Sequence, residues 1–195
     1  MARRWQVIFL TSAGMFLVLA LAVSWGGVFP AERALYEWIT GAVSPGAVAI
    51  FRWINLLGNK RVLIPAALLL LFALPGPLRR RWWLWLTVML GAPILEALAK
   101  VVVGRPRPEA PSMGFPSGHV TAAAAVFVLA AYLGEKSLAS RSAKTIIWVL
   151  AALFIVLVGI ARIVLHAHWP LDAVGGAALG LACAAAAAWW NEHHP

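Results

Sequence analysis

The chain has 195 residues, of which 63% are hydrophobic and only 12% charged, whereas a soluble domain carries about a quarter charged residues. The apolar residues come in long uninterrupted blocks, which places the chain among membrane proteins. The net charge of +9 arises from sixteen Lys and Arg residues clustered between those blocks. No polar, basic face of a soluble domain remains to follow a phosphate backbone, so nucleic acid is excluded as a partner.

Arg3 and Arg4 precede an uncharged stretch from Trp5 to Ala31. A cleavable signal has an apolar region of only about 7–15 residues, so this longer stretch predicts a retained first transmembrane helix from Trp5 to Val28. The second span is expected from Arg61 to Leu74, where Pro75 and Pro77 end it. The third runs from Trp82 to Val103, the fourth from Ser117 to Leu133, and the fifth from Lys144 to Leu165. The sixth begins at Pro170 and ends near Trp190. Between the first two spans, Glu32–Thr40 and Ala47–Leu57 have amphipathic helical spacing but are too short to cross. They are expected to lie along the membrane surface; the sharper alternative is that they shape a mouth through which lipid enters. No repeat or linker divides the chain, so residues 1–195 read as one all-α, polytopic membrane domain with six transmembrane helices.

The tight Arg79–Arg81 cluster in a very short loop marks a cytoplasmic end by the positive-inside rule. Arg3, Arg4, Lys136, Arg141 and Lys144 fall on the same side of a six-span layout. Both termini are therefore expected in the cytoplasm, in a multi-pass protein of the inner cell membrane. Trp5, Trp82, Trp83, Trp148, Trp189 and Trp190 fall near that interface, and Trp25 and Trp169 near the other, as aromatic belts do. Cys183, the single cysteine, lies in an apolar block and reads as a small packing residue.

Three polar clusters interrupt the apolar pattern, and six spans put all of them on the extracytoplasmic side. Lys100 to Pro108 closes the third span, Pro116-Ser117-Gly118-His119 opens the fourth, and Arg162 to Asp172 joins the fifth to the sixth. Ionisable groups at membrane depth are expensive and mark functional sites. Lys100, Arg107 and Arg162 form a cation cluster that calls for a shared anion, and Arg grips phosphate oxygens bidentately. Pro116 suits a first helical position, with Ser117 and Gly118 in the first turn. Free N–H groups there favour an anion, and Gly118 lets the backbone approach it. The ligand is expected to be a phosphate.

Pro170 likewise suits a helix start, leaving His168 just before it and Asp172 just inside. Asp172 would accept a hydrogen bond from one ring nitrogen of His168 and leave the other free to attack phosphorus. His119, from another helix, would protonate the leaving oxygen. The cations would neutralise charge on the equatorial oxygens. The expected path is a phosphohistidine on His168 that water hydrolyses, with no metal and no cofactor.

These clusters resemble the signature of the type 2 phosphatidic acid phosphatase superfamily, KxxxxxxRP, PSGH and SRxxxxxHxxxD. Lys100, Arg107 and Pro108 match the first element, Pro116 to His119 the second, and Arg162, His168 and Asp172 the third. The resemblance implies the same roles: His168, His119 and Asp172 in catalysis, and Lys100, Arg107, Ser117, Gly118 and Arg162 on phosphate. The serine before the family arginine is Ala161 here, which removes one hydroxyl contact. Arg105 and His166 lie beside the motif but outside it.

Simpler readings accompany several residues. Lys100 can pair with Glu96 four residues earlier on a helix. Asp172 can cap the sixth helix. His166 and His168, two apart, would point to different faces of a helix rather than share a metal. Glu109 and Ser112 read as solvated loop residues, and His193 and His194 as a solvated tail. The implied substrate is a lipid phosphate or pyrophosphate drawn from the surrounding membrane lipids. Undecaprenyl pyrophosphate is favoured, with phosphatidylglycerophosphate or phosphatidic acid as the alternative. A phosphate transporter or an inactive phosphate-binding relative are the readings from other classes.

Overall fold

Apolar blocks this long, punctuated by Pro and Gly, fold as helices because only closed backbone hydrogen bonding survives in lipid. The computed structural model describes residues 2–111 and 113–194; Ser112, expected as a solvated loop residue, lies outside the described residues. In chain order the helices are α1 (Ala2–Gly26), α2 (Pro30–Gly41), α3 (Pro45–Leu56), α4 (Lys60–Ala73) and the single turn α5 (Gly76–Arg79). They continue with α6 (Trp82–Val103), α7 (Gly118–Glu135), α8 (Arg141–Val164) and α9 (Pro170–His193). The starts are locally encoded. Ser44, Asn59 and Ser140 accept hydrogen bonds from first-turn N–H groups of α3, α4 and α8, and proline opens α2, α3 and α9.

Among the described residues, five segments are long and apolar enough to cross a membrane: α1, α5 with α6, α7, α8 and α9. The pair α2 and α3 would add a sixth by composition, but it is bent by 110°. The expected second span is α4, whose 14 residues reach only about 21 Å at 1.5 Å per residue. It still carries the chain from one end of the bundle to the other. Lys60, its first residue, stands in the same cleft as Lys100 near the end of α6, and Arg79 precedes the start of α6. Both termini lie at that second end: Trp5 packs on Tyr132 and Trp148, and Phe9 stacks on Trp189. The three motif segments lie at the other end. The chain is an integral membrane protein.

Helices α7 and α9 form the buried centre, and α1, α6 and α8 surround them. Large apolar side chains such as Leu17, Leu69, Val102 and Val156 stay exposed on the outer helices, as lipid contact allows. The α7–α9 seam is built from small residues: Gly176, Gly180, Ala184 and Ala188 recur every four positions, with Gly176 against Ser117, Val120 and Thr121 and Gly180 against Thr121, Ala124 and Ala125. This small-xxx-small spacing lets backbones close up where no hydrophobic drive between helices exists. A Cβ at Gly176 would meet the Ser117 carbonyl at 2.6 Å, and one at Gly180 would meet Ala124 Cβ at 2.7 Å.

Two expectations need correction. Pro116 is not the first helical residue: Ser117 is the extended N-cap of α7, held by its N–H donating to the Asp172 carbonyl at 2.9 Å. Trp169 and Trp5 are not belt residues; they are 8% and 3% exposed. Trp169 is drawn inward because its indole N–H donates to the Pro106 carbonyl and its backbone caps α9.

Gly180→Leu should force α7 from α9. It is expected to lower stability by about 1–3 kcal/mol, read as a fall in Tm in detergent. Gly14→Ala, whose added Cβ meets nothing within 4 Å, should leave Tm unchanged.

Candidate active site

The site is assembled where α6 ends and α7 and α9 begin. Lys100 lies in the last turn of α6, which Gly104 terminates in the left-handed conformation, φ 62°, donating to the Lys100 carbonyl at 3.0 Å. That cap is the usual role of glycine at a helix C-terminus. It reverses the chain, so Arg105 and Arg107 double back in a short hairpin against Met113 and Gly114. Gly114 has to be small, since a Cβ there would meet Asp172 Oδ2 at 3.0 Å and the Arg105 carbonyl at 3.2 Å.

A cleft of about 390 Å³ brings the three motif segments together. Its walls hold Lys100, Arg107, Gly118, His119, Arg162 and His168, all anticipated from the sequence. The structure adds Glu96, Gly58 and Asn59 of the α3–α4 connection, and Lys60 and Arg61 at the start of α4. Gly58 packs directly on His119, where a Cβ would come within 2.9 Å of the histidine Cβ. Ser117 and Asp172 stand behind the wall, both fully buried. The Ser117 N–H is committed to Asp172, so it is not among the free donors at the start of α7.

His168 is 1% exposed apart from its place on the cleft wall. Its Nδ1 faces Asp172 Oδ2 at 3.3 Å, which leaves Nε2 as the ring nitrogen without a partner among the described residues. Burial pushes the imidazole below the usual histidine range, Arg162 and Arg107 push the same way, and Asp172 opposes them. Asp172 also accepts the Trp169 N–H at 3.0 Å, so orienting His168 and capping α9 are done by one carboxylate.

The cations differ in how fully they are answered. Lys100 pairs with Glu96 at 2.5 Å, as its spacing suggested, and still lines the cleft. Arg162 donates to Asn55 Oδ1 at 2.9 Å, but its Nε is buried without a partner among the described residues. The Ser117 hydroxyl is in the same position. Buried polar atoms are rarely left unpaired, and both orphans flank the cleft. Among the described residues, the Arg107 side chain makes one long contact, 3.4 Å to the Met113 carbonyl. The family serine position, Ala161, is fully buried in α8.

Sequence reasoning passed over several residues. Arg105, set aside as lying outside the motif, is buried against both Asp172 and Glu32. Glu32 and Tyr36 of α2 and Asn55 of α3 reach the site region, with Tyr36 hydrogen-bonded to His166. His166 takes a positive φ of 53° and points to Tyr36 and Glu109, away from His168's partner. The available signal was Glu32 itself, an acidic residue next to a long apolar stretch.

Similarity to known proteins agrees with this arrangement. The chain is 32% identical over 176 residues to phosphatidylglycerophosphatase B of Bacillus subtilis (strain 168), covering 85% of this chain and 86% of that one. It superposes on the crystal structure of a transmembrane PAP2 type phosphatidylglycerolphosphate phosphatase from Bacillus subtilis with a TM-score of 0.85 at 28% identity, covering 96% and 97% of the two chains. Aquifex aeolicus LpxE gives a TM-score of 0.66 at 26% identity, over 83% of this chain and 96% of that one. Residues 81–194, more than half the chain and every motif residue, match the PAP2 superfamily, and the chain belongs to it.

Proposed function

We propose that the chain is a lipid phosphatase that transfers a terminal phosphoryl group to His168 and then to water, without a metal ion. The observation that carries this reading is the cleft in which Lys100, Arg107 and Arg162 meet His119 of α7 and His168, just ahead of α9. Three fixed cations supply the charge neutralisation that phosphoryl transfer requires. Gly118 opens a helix at the same wall, and the unpaired Ser117 hydroxyl and Arg162 Nε supply further donors.

In this mechanism the Nδ1–H of His168 donates to Asp172, and the Nε2 lone pair attacks phosphorus. The bond between phosphorus and the leaving oxygen breaks as His119 delivers a proton to that oxygen. His119, now neutral, takes a proton from water, which attacks the phosphohistidine. Inorganic phosphate leaves and His168 is regenerated. Asp172 stabilises the imidazolium-like charge in both steps.

The substrate is a lipid phosphate, because the cleft opens at the end of a bundle whose outer surface is apolar. Similarity to phosphatidylglycerophosphatase B favours phosphatidylglycerophosphate over the undecaprenyl pyrophosphate placed first from the sequence. The site faces the extracytoplasmic side, on the argument that Arg79–Arg81 and both termini share the opposite, cytoplasmic end. A transporter would place its polar groups near the bilayer midplane, whereas these sit at helix ends.

Purified protein in detergent with EDTA should release phosphate from phosphatidylglycerophosphate faster than from undecaprenyl pyrophosphate or phosphatidic acid. His168→Ala should lower that rate by about a thousandfold or more while leaving Tm near wild type. Equal activity of the mutant, or abolition by EDTA, would sink the metal-free histidine reading.

The pH profile supplies a second check. The reactive form of His168 is deprotonated, and burial lowers its pKa. The acid limb of kcat/KM should therefore fall below the ordinary histidine value of about 6.5, with activity lost as pH drops through it. An acid limb above that value would assign it to another group.

A further inference from the structure

Behind His168 lies a chain of buried ionisable groups that the proposed reaction does not yet use. Asp172 Oδ2 is shared by the His168 ring and the Trp169 N–H, while Oδ1 accepts from Arg105 at 2.7 Å. Arg105 then forks onto both oxygens of Glu32 and also donates to the Gly27 carbonyl at 2.8 Å. Glu32 Oε1 accepts a further bond from the Leu171 N–H at 2.9 Å. The side chains of Glu32, Arg105, Asp172 and His168 are 3%, 1%, 0% and 2% exposed, so water does little to screen them.

We infer that Glu32 and Arg105 are positioning residues for the phosphatase reaction: they fix the Asp172 carboxylate and set the charge that His168 feels. This rests on His168 being the nucleophile. Two carboxylates and one guanidinium leave one net negative charge beside the ring. That charge is balanced when the imidazole becomes cationic, as it does on attacking phosphorus. Buried ionic groups are stable only when mutually compensated, so the array supports the charged state of the ring against the burial that disfavours it.

Each member has a separate task. Arg105 occupies one oxygen of Asp172 and so aims the other at Nδ1. Glu32 offsets Arg105; without its charge the Arg105–Asp172 pair would be neutral and would support the imidazolium less. Glu32 also ties α2 to the first turn of α9 through Leu171, so the array is held from three elements. The other charged or titratable groups around His168 are Arg162 on α8, Arg107 in the hairpin, Lys100 and Glu96 on α6, His119 on α7, and Lys60 and Arg61 on α4. None of them is altered by changing Glu32 or Arg105.

The test is full kinetics of Glu32→Gln and Arg105→Lys in detergent, with Tm and a rapid-quench assay for phosphohistidine in wild type. Glu32→Gln removes charge at constant shape. Its kcat should fall about tenfold with KM little changed, and the acid limb of kcat/KM should move to lower pH by up to about one unit. Arg105→Lys keeps the charge but loses the fork. Its kcat should fall while its acid limb stays with wild type. A lowered Tm with an unmoved acid limb in Glu32→Gln would make the contact merely structural and overturn the inference, as would wild-type kcat in Arg105→Lys. Absence of phosphohistidine in wild type would instead overturn the nucleophile assignment itself.

Discussion

Two helix starts lie side by side at one end of the bundle, and the site depends on how closely they approach. The Ser117 N–H donates to the Asp172 carbonyl at 2.9 Å, which fixes the first residues of α7 against the first turn of α9. That bond forms only because Gly176 and Gly180 let the two helices close below the distance any side chain would permit. His119 and the Gly118 helix start come from one member of the pair, Asp172 from the first turn of the other, and His168 from just ahead of it. On the proposed mechanism, a proton donor on α7 and a nucleophile just ahead of α9 can then address one phosphate without sharing a backbone segment. The alanine-rich character of both helices is thus a requirement of the chemistry as well as of membrane packing.

The cations add a second constraint. Charge near hydrocarbon calls for compensation, and several cations near the site have it: Lys100 and Lys60 share Glu96, Arg105 pairs with Glu32 and Asp172, and Arg162 has a neutral partner in Asn55. Among the described residues, Arg107 makes one long backbone contact. The graded compensation sorts the groups by role. Arg105, whose two terminal nitrogens are both bonded, serves the carboxylate behind the histidine, whereas Arg107 and Arg162 face the cleft. Glu96 is the exception among wall residues, an acid paired with two lysines, Lys60 at 3.8 Å and Lys100 at 2.5 Å. A Cβ at Gly118 would strike its carboxylate at 2.7 Å, so Gly118 gives room to this acid as well as to a ligand.

Much of this was legible in the sequence, and the part that was not has a physical reason. Long apolar blocks announce helices, and Pro170 with Asp172 announces a capped start, because these signals are local. Lys100, Arg107, His119 and His168 are legible because their chemistry at membrane depth has few innocent explanations. The Glu32–Arg105 pair is separated by 73 residues, and periodicity carries no information on which distant charges meet. Trp169 looked like a belt residue because composition cannot tell an indole at the interface from one buried against a carbonyl. Pro116 looked helical because proline favours first turns; the Asp172 hydrogen bond holding Ser117 extended is a tertiary contact.

The division of labour along the chain follows from the same geometry. Residues 81–194 match the PAP2 superfamily and hold Lys100, Arg107, His119, Arg162, His168 and Asp172. The N-terminal part supplies Glu32, Asn55, Gly58 and Lys60, which surround that set without belonging to it. Helices α2 and α3 are therefore more than amphipathic segments resting on a surface. The 110° bend between them allows α2 to reach the start of α9 while α3 meets the end of α8. A bend of that kind separates two jobs: α2 touches the charge array behind His168, and α3 touches the cleft wall at Arg162, with Gly58 just after it packed on His119. The electrostatics of the nucleophile and the shape of the cleft are thereby set by neighbouring but distinct contacts, so either can change while the motif residues stay in place.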